Sequence, residues 1–168
     1  QQDGHGLIGL DQLEHLDAQI ACSDHTIKAM AKADPVAHRL TSIPGIGPVT
    51  ASDIAASVQD IAGFSGPREF AAWLGLTPRQ NSSGGKERLG RVSKMGNRYL
   101  RKLLVVGAHA VLYHRKAHGD ALRLWACKLM QTKPFKLVAV ALANKLARIA
   151  FTLMRSQSLY ARTQADPA

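Results

Sequence analysis

Two adjacent serines, Ser82 and Ser83, followed by Gly84, Gly85 and Lys86, are the residues of this chain best suited to chemistry. A hydroxyl among glycines lets a phosphate come close to backbone N–H groups and to a neighbouring cation. A serine can also attack a phosphate or carbonyl, but an alcohol is a weak nucleophile near neutrality and needs a base or a metal beside it. This loop supplies neither. From Arg79 to Lys102 there are eight cations, Arg79, Lys86, Arg88, Arg91, Lys94, Arg98, Arg101 and Lys102, against one acid, Glu87. Loop, serine pair and cations together point to a nucleic-acid backbone, with an ordinary solvated charged surface as the plain alternative.

The elements on either side must position that loop. Ahead of it, Pro67 to Leu74 reads as a short helix capped by Gly75, with Phe70, Ala71 and Leu74 inward and Trp73 a core residue rather than a base-stacking one. Leu76-Thr77-Pro78 then leads into the polar stretch 81–86, which reads as a loop. Behind it, Asn97 opens a long helix to about Lys116. Its first turns are basic and its middle, Leu103 to Ala108, is apolar on nearly every side, so this helix is expected at the centre of the fold.

A second anion site is suggested earlier in the chain. Pro35 opens a short helix carrying Val36, Leu40 and Ile43, which Pro44-Gly45-Ile46-Gly47-Pro48 breaks before a further helix to Val58. Leu40 to Gly47 with Ala51 and Ile54 resembles the helix-hairpin-helix DNA-binding motif. The resemblance implies that Gly45 and Gly47 turn the backbone so that its N–H groups at the start of the second helix, in the stretch of Gly45, Ile46, Gly47 and Thr50, face a DNA phosphate without reading bases. A plain helical hairpin turn is the alternative.

Before this lies a heptad-like seam, Leu13, Leu16, Ile20, Ile27 and Met30, on a helix ending before Asp34-Pro35. Packing on the chain's own core is the simpler reading, and a partner helix the other. Beyond the central helix, Asp120 to Met130 and Phe135 to Met154 read as helices, the latter with Val138, Leu142, Leu146, Ile149 and Leu153 in one stripe and Lys136, Lys145, Arg148 and Arg155 outside it. No convincing strand alternation or hairpin turn signal appears. The expected architecture is all-α: a coiled-coil-like helix over 1–34, a compact domain of 35–158, and a frayed tail at 159–168.

The totals agree with a folded nucleic-acid binder: 168 residues, 46% hydrophobic, formal charge +10. Cys22 and Cys127 lack the spacing of a disulfide framework or zinc site, which suits a reducing cytoplasm. His114 and His118 are four apart but have Arg115 and Lys116 between them and no acidic companion, so no metal is assigned. The apolar runs are too short for a membrane span, and no signal pattern is seen. The opening Gln1 in place of a methionine suggests a piece of a longer protein.

Taken in order, Ile43 to Gly47, Phe70 to Arg79, Ser82-Ser83-Gly84 and Val92 to Asn97 resemble the C-terminal domain of the IS116/IS110/IS902 type of insertion-sequence transposases. These are related to the Piv invertases and understood as bridge-RNA-guided recombinases, and the resemblance covers about Leu40 to Met154. It implies that the serine before the loop glycine, Ser83, attacks a DNA phosphodiester, with Ser82 as the alternative one position away. It further implies that Mg²⁺ is held by four acidic residues of a RuvC-like domain outside this sequence, with no cofactor in this stretch, and that the partners are DNA, a guide RNA and further copies of the chain. Two other readings stand beside it: a DNA-binding module without chemistry, and an oligomerisation unit built on the first helix.

Overall fold

The computed structural model describes residues 4–80, 89–115 and 120–161. Seven helices and one two-stranded sheet follow in the order α1 (Gly4–Ala33), α2 (Pro35–Thr41), α3 (Pro48–Ser57), α4 (Pro67–Trp73), β1 (Pro78–Gln80), β2 (Leu89–Val92), α5 (Arg98–Tyr113), α6 (Ala121–Met130) and α7 (Phe135–Ser156). Side-chain caps start three of the helices. Asp34 accepts from the Val36 and Ala37 N–H groups at 2.7 and 3.4 Å, Asn97 from Tyr99 and Leu100 at 3.0 and 3.1 Å, and Asp120 from Arg123 at 2.8 Å. Asp34 also stands before Pro35, and that Asp-Pro step is what separates α1 from α2.

The core is built around α7, which touches α2, α4, α5 and α6. Its inward stripe of Val138, Leu142, Leu146 and Ala150 is fully buried, and Ala139, Ala143 and Ala147 beside it are small enough for close helix packing. Leu100, Leu104, Ala108 and Leu112 of α5, Phe70 of α4 and Leu40 of α2 close the other side. Each of the larger side chains contributes about 1.5–3 kcal/mol by leaving water. By length and hydropathy α7 could cross a membrane, with a mean hydropathy of 1.6 over its best window, but 56% of that window is buried against the other helices. It is a core helix of this domain. Trp73 packs with Phe64 and Phe70, ring centroids 5.5 and 5.7 Å away, so it belongs to the core as expected.

Three details depart from the sequence reading. Residues 78–80 and 89–92 pair antiparallel, Pro78 opposite Val92 and Gln80 opposite Leu89, with an irregularity between. The polar stretch is therefore the connection of a β-hairpin, which strands of three and four residues are too short to announce by alternation. Most of the α1 seam does not pack on the chain's own core: Leu13, Leu16, Ile20 and Met30 are 51–64% exposed, while Ile27 is half-buried and Ala31 buried where α1 meets α2 and α3. Finally, the chain stays tied down past Leu159, because the Tyr160 N–H donates to Ser42 Oγ at 2.9 Å.

Candidate nucleic-acid interface

The hairpin is rooted by two glycines at a point where two backbones nearly touch. Gly75 has φ +68° and a Cβ there would lie 2.0 Å from the Met95 carbonyl oxygen. Gly96 has φ +102° and its Cβ would lie 1.8 Å from the Trp73 carbonyl oxygen. No other residue fits either place. Between these crossings the Ser93 N–H donates to Thr77 O at 2.9 Å and the Lys94 N–H to Gly75 O at 3.2 Å, which prolongs the hairpin ladder into a stem. Helices clamp that stem from both sides: Arg101 of α5 donates to Leu74 O at 3.0 Å, and Asn144 of α7 donates to Leu76 O at 3.2 Å. Arg79 reaches back across the hairpin to Ser93 O at 3.3 Å.

Beside the stem lies an open groove of about 900 Å³. Its floor is Leu76, Val92, Val105 and Val140, and Lys94, Arg98, Arg101, Lys102 and Tyr99 line the rest. Lys94, Arg98 and Lys102 are exposed, whereas Arg101 is half-buried and already engaged by Leu74. Arg91 lines an adjoining groove of about 490 Å³ on the α7 side of the hairpin, which shares Lys94, Leu76, Val92 and Val140 with the first. The charges are poorly placed for the helix that carries them. Arg98, Arg101 and Lys102 occupy the first turns of α5, where no acidic residue stands and where the helix dipole already presents positive charge. Among the described residues the one ion pair is Arg123 with Asp120, so none of these cations has a carboxylate partner.

The α2–α3 turn lies elsewhere. It packs on the neighbouring face of α5, against Leu103, Val106, Gly107 and Ala110, in a shallow depression of about 470 Å³ whose lining contains no cation. Gly45 has φ +87°, and a Cβ at Gly107 would lie 1.9 Å from its carbonyl oxygen, so these two glycines let the turn sit directly on α5. Ile46 is buried and spends its N–H on Ile43 O at 3.0 Å, and the Thr50 side chain is buried as well. Both side chains turn inward, and the Ile46 N–H is taken within the turn. Gly47 alone is open: it is exposed, extended at φ −85°, and has nothing near where a Cβ would be.

Ser82, Ser83, Lys86 and Arg88 lie outside the described residues, as does His118. The carboxylates that are described are dispersed. Asp34 and Asp120 cap helices, and Glu69 accepts from both the N–H and the hydroxyl of Ser65 at 2.6 Å, which holds its carboxyl below the usual range. Asp53 stands on α3 with one buried oxygen unpaired, and burial pushes its carboxyl up. Among the described residues no group of three His, Cys, Asp or Glu is placed to hold a metal ion. The sequence did not single out Tyr99, Asn144 or the Gly75–Gly96 and Gly45–Gly107 contacts. Only the glycines' proximity to other turn residues could have hinted at the last two.

Residues 37–123, from α2 through the hairpin and α5 into α6, match the Transposase IS116/IS110/IS902 family. The chain belongs to that family. It is 47% identical over 150 residues to a "Probable family 20 transposase" of Pseudomonas aeruginosa, a match spanning 89% of this chain and 44% of the relative. It is 43% identical over 149 residues to the transposase for insertion sequence element IS1111A of Coxiella burnetii, spanning 89% and 41%. A more distant relative, the pilin gene-inverting protein of Moraxella bovis, is 27% identical over 151 residues, spanning 86% and 46%. The chain thus covers less than half the length of these relatives.

Proposed function

We propose that this chain is the DNA-engaging, strand-transferring part of a transposase or site-specific recombinase acting in DNA transposition, with the hairpin groove holding the DNA backbone and Ser83 as nucleophile. One observation carries the reading: Lys94, Arg98 and Lys102 line the groove without a carboxylate partner among the described residues, two of them against the dipole of α5. Each cation so placed costs the free helix about 0.3–1 kcal/mol, a cost that a bound phosphate reverses. The segment with Ser82 and Ser83 joins β1 to β2, and Val92 of β2 lines this groove while Pro78 of β1 lines the adjoining one. In the proposed step Ser83 Oγ bonds to phosphorus as one P–O bond of the strand breaks, leaving a phosphoserine-linked end and a free strand hydroxyl. Attack by a hydroxyl of another strand then reverses the bond and joins the two.

The serine proton needs an acceptor that the described residues do not supply. The family resemblance places Mg²⁺, which can activate a hydroxyl, on acidic residues of a RuvC-like domain outside this sequence, and a guide RNA with the whole protein. Further copies of the chain are the partner that the exposed α1 seam suits, because its apolar side chains follow heptad spacing along a helix about 45 Å long. Free Cys22 and Cys127 suit a reducing cytoplasm.

The test removes groove charge without removing bulk. Arg98→Gln with Lys102→Gln should lower the slope of log affinity against log salt for duplex DNA by about 0.9 per lost contact. At 0.1 M salt that is roughly eightfold weaker binding per contact. Thermal stability should hold or rise, since the two charges oppose the helix dipole. Undiminished affinity and slope in a folded variant would refute the groove.

A further inference from the structure

The groove beneath the hairpin does not end at α5. On the α7 side it shares Ala141 and Asn144 with a third recess, of about 550 Å³, between α6 and α7. Trp125 and Lys145 face each other there, the Lys145 ammonium 4.3 Å from the ring centroid, and Arg148 stands one turn further along α7. Lys145 is half-buried and Arg148 exposed, and neither has a carboxylate partner among the described residues. Withdrawal from water, and then the charge of Arg148, lower the pKa of Lys145. Two cations are therefore held together in a recess, one of them partly desolvated over an indole, with no carboxylate among the described residues to balance them. Anions relieve that arrangement.

We propose that this recess is a second phosphate subsite, taking the backbone of a single nucleic-acid strand that runs on from the hairpin groove, with Lys145 and Arg148 as its cations. The geometry favours one strand over a duplex. Lys145 is set back over Trp125, where an isolated backbone reaches it and a paired helix lying across the mouth does not. From Val140 under the hairpin to Arg148 is eight residues of α7, about 12 Å, or three to four nucleotides at the ~3.4 Å spacing of a stacked strand. The three recesses in sequence present Arg98 and Lys102, then Lys94 and Arg91, then Lys145 and Arg148. Trp125 positions Lys145 by the attraction between ammonium and ring.

The inference rests on the proposed nucleic-acid role of the hairpin groove, and the experiment separates the two. Binding of 12-nucleotide single-stranded DNA, single-stranded RNA and duplex DNA to the whole chain is measured by fluorescence anisotropy across a salt series. The recess variant, Lys145→Met with Arg148→Gln, is set against the groove variant Arg98→Gln with Lys102→Gln. A further control, Lys128→Gln with Lys133→Gln, changes the same charge outside the recess. The recess variant should bind single strands about fivefold more weakly per lost contact at 0.1 M salt, with the salt slope lower by about 0.7 each, and should bind duplex as before. Loss on DNA, on RNA or on both supports the subsite and identifies its source. Wild-type single-strand binding by the recess variant while the groove variant fails overturns the subsite and leaves the groove standing. Equal loss on duplex, or equal loss in the control, also overturns it. If the unaltered chain binds no nucleic acid even at low salt, subsite and groove fall together.

Discussion

Replacing Gly107 with alanine tests whether the α2–α3 turn is seated on α5. In an unencumbered helix interior the change would stabilise by about 1 kcal/mol, because glycine is the poorer helix former. Here the new Cβ would stand 1.9 Å from the Gly45 carbonyl oxygen. An ordinary carbon–oxygen contact is about 3.3 Å, so the turn must retreat by roughly 1.4 Å. It has little room to do so, since Gly45 is fixed at φ +87° and the flanking Ile43 and Ile46 are buried. Overpacking of this kind costs about 1–3 kcal/mol, and a contact this close belongs at the upper end. After the helix gain the net loss is about 1–2 kcal/mol, or a melting temperature lower by about 2–8 °C for a domain of this size. Urea denaturation should show a lower midpoint with an unchanged slope. A Gly107→Ala protein as stable as the unaltered one would mean that turn and helix do not touch, and the described geometry of both would be wrong.

Gly47→Val asks a different question of the same turn. The site is open and its φ of −85° suits any residue, so the variant should fold with near-normal stability, and DNA affinity should fall only if the start of α3 meets a phosphate. Full affinity in the folded variant would exclude the turn from the interface. For α1, Leu16→Asp with Ile20→Asp should leave the melting temperature unchanged, as both side chains are more than half exposed, while shifting sedimentation toward the monomer. A unaltered chain that sediments as a monomer at every concentration would contradict the α1 proposal.

The helices were legible because their signals are local. Asp34-Pro35, Asn97 and Asp120 announce starts by capping, and the stripe Val138, Leu142, Leu146 declares its inward face by period. The hairpin was not legible, because strands of three and four residues separated by a polar connection carry no alternation, and what holds them is tertiary: Asn144 and Arg101 reach the stem from sequence positions 68 and 27 residues away. The same reason hid the recess at Trp125, which α6 and α7 form only when packed. Within the basic run, Lys94, Arg98, Arg101 and Lys102 line one groove and Arg91 the adjoining one, a division that only the packing of the hairpin on α5 and α7 makes. The motif reading placed backbone N–H groups of the α2–α3 turn toward a phosphate, and the inward packing of the Ile46 and Thr50 side chains leaves that reading to experiment.

The central claim is that Ser83 becomes bonded to DNA beside the groove. The most direct measurement is mass spectrometry of the nucleotide-bearing peptide after protease digestion of a trapped complex of the full-length protein with its DNA. The expected result is a nucleotide on Ser83, with adduct and recombination both lost in Ser83→Ala, DNA binding nearly intact, and the adduct retained in Ser82→Ala. A nucleotide on Ser82 or Ser93, or an adduct that survives Ser83→Ala, would contradict the account.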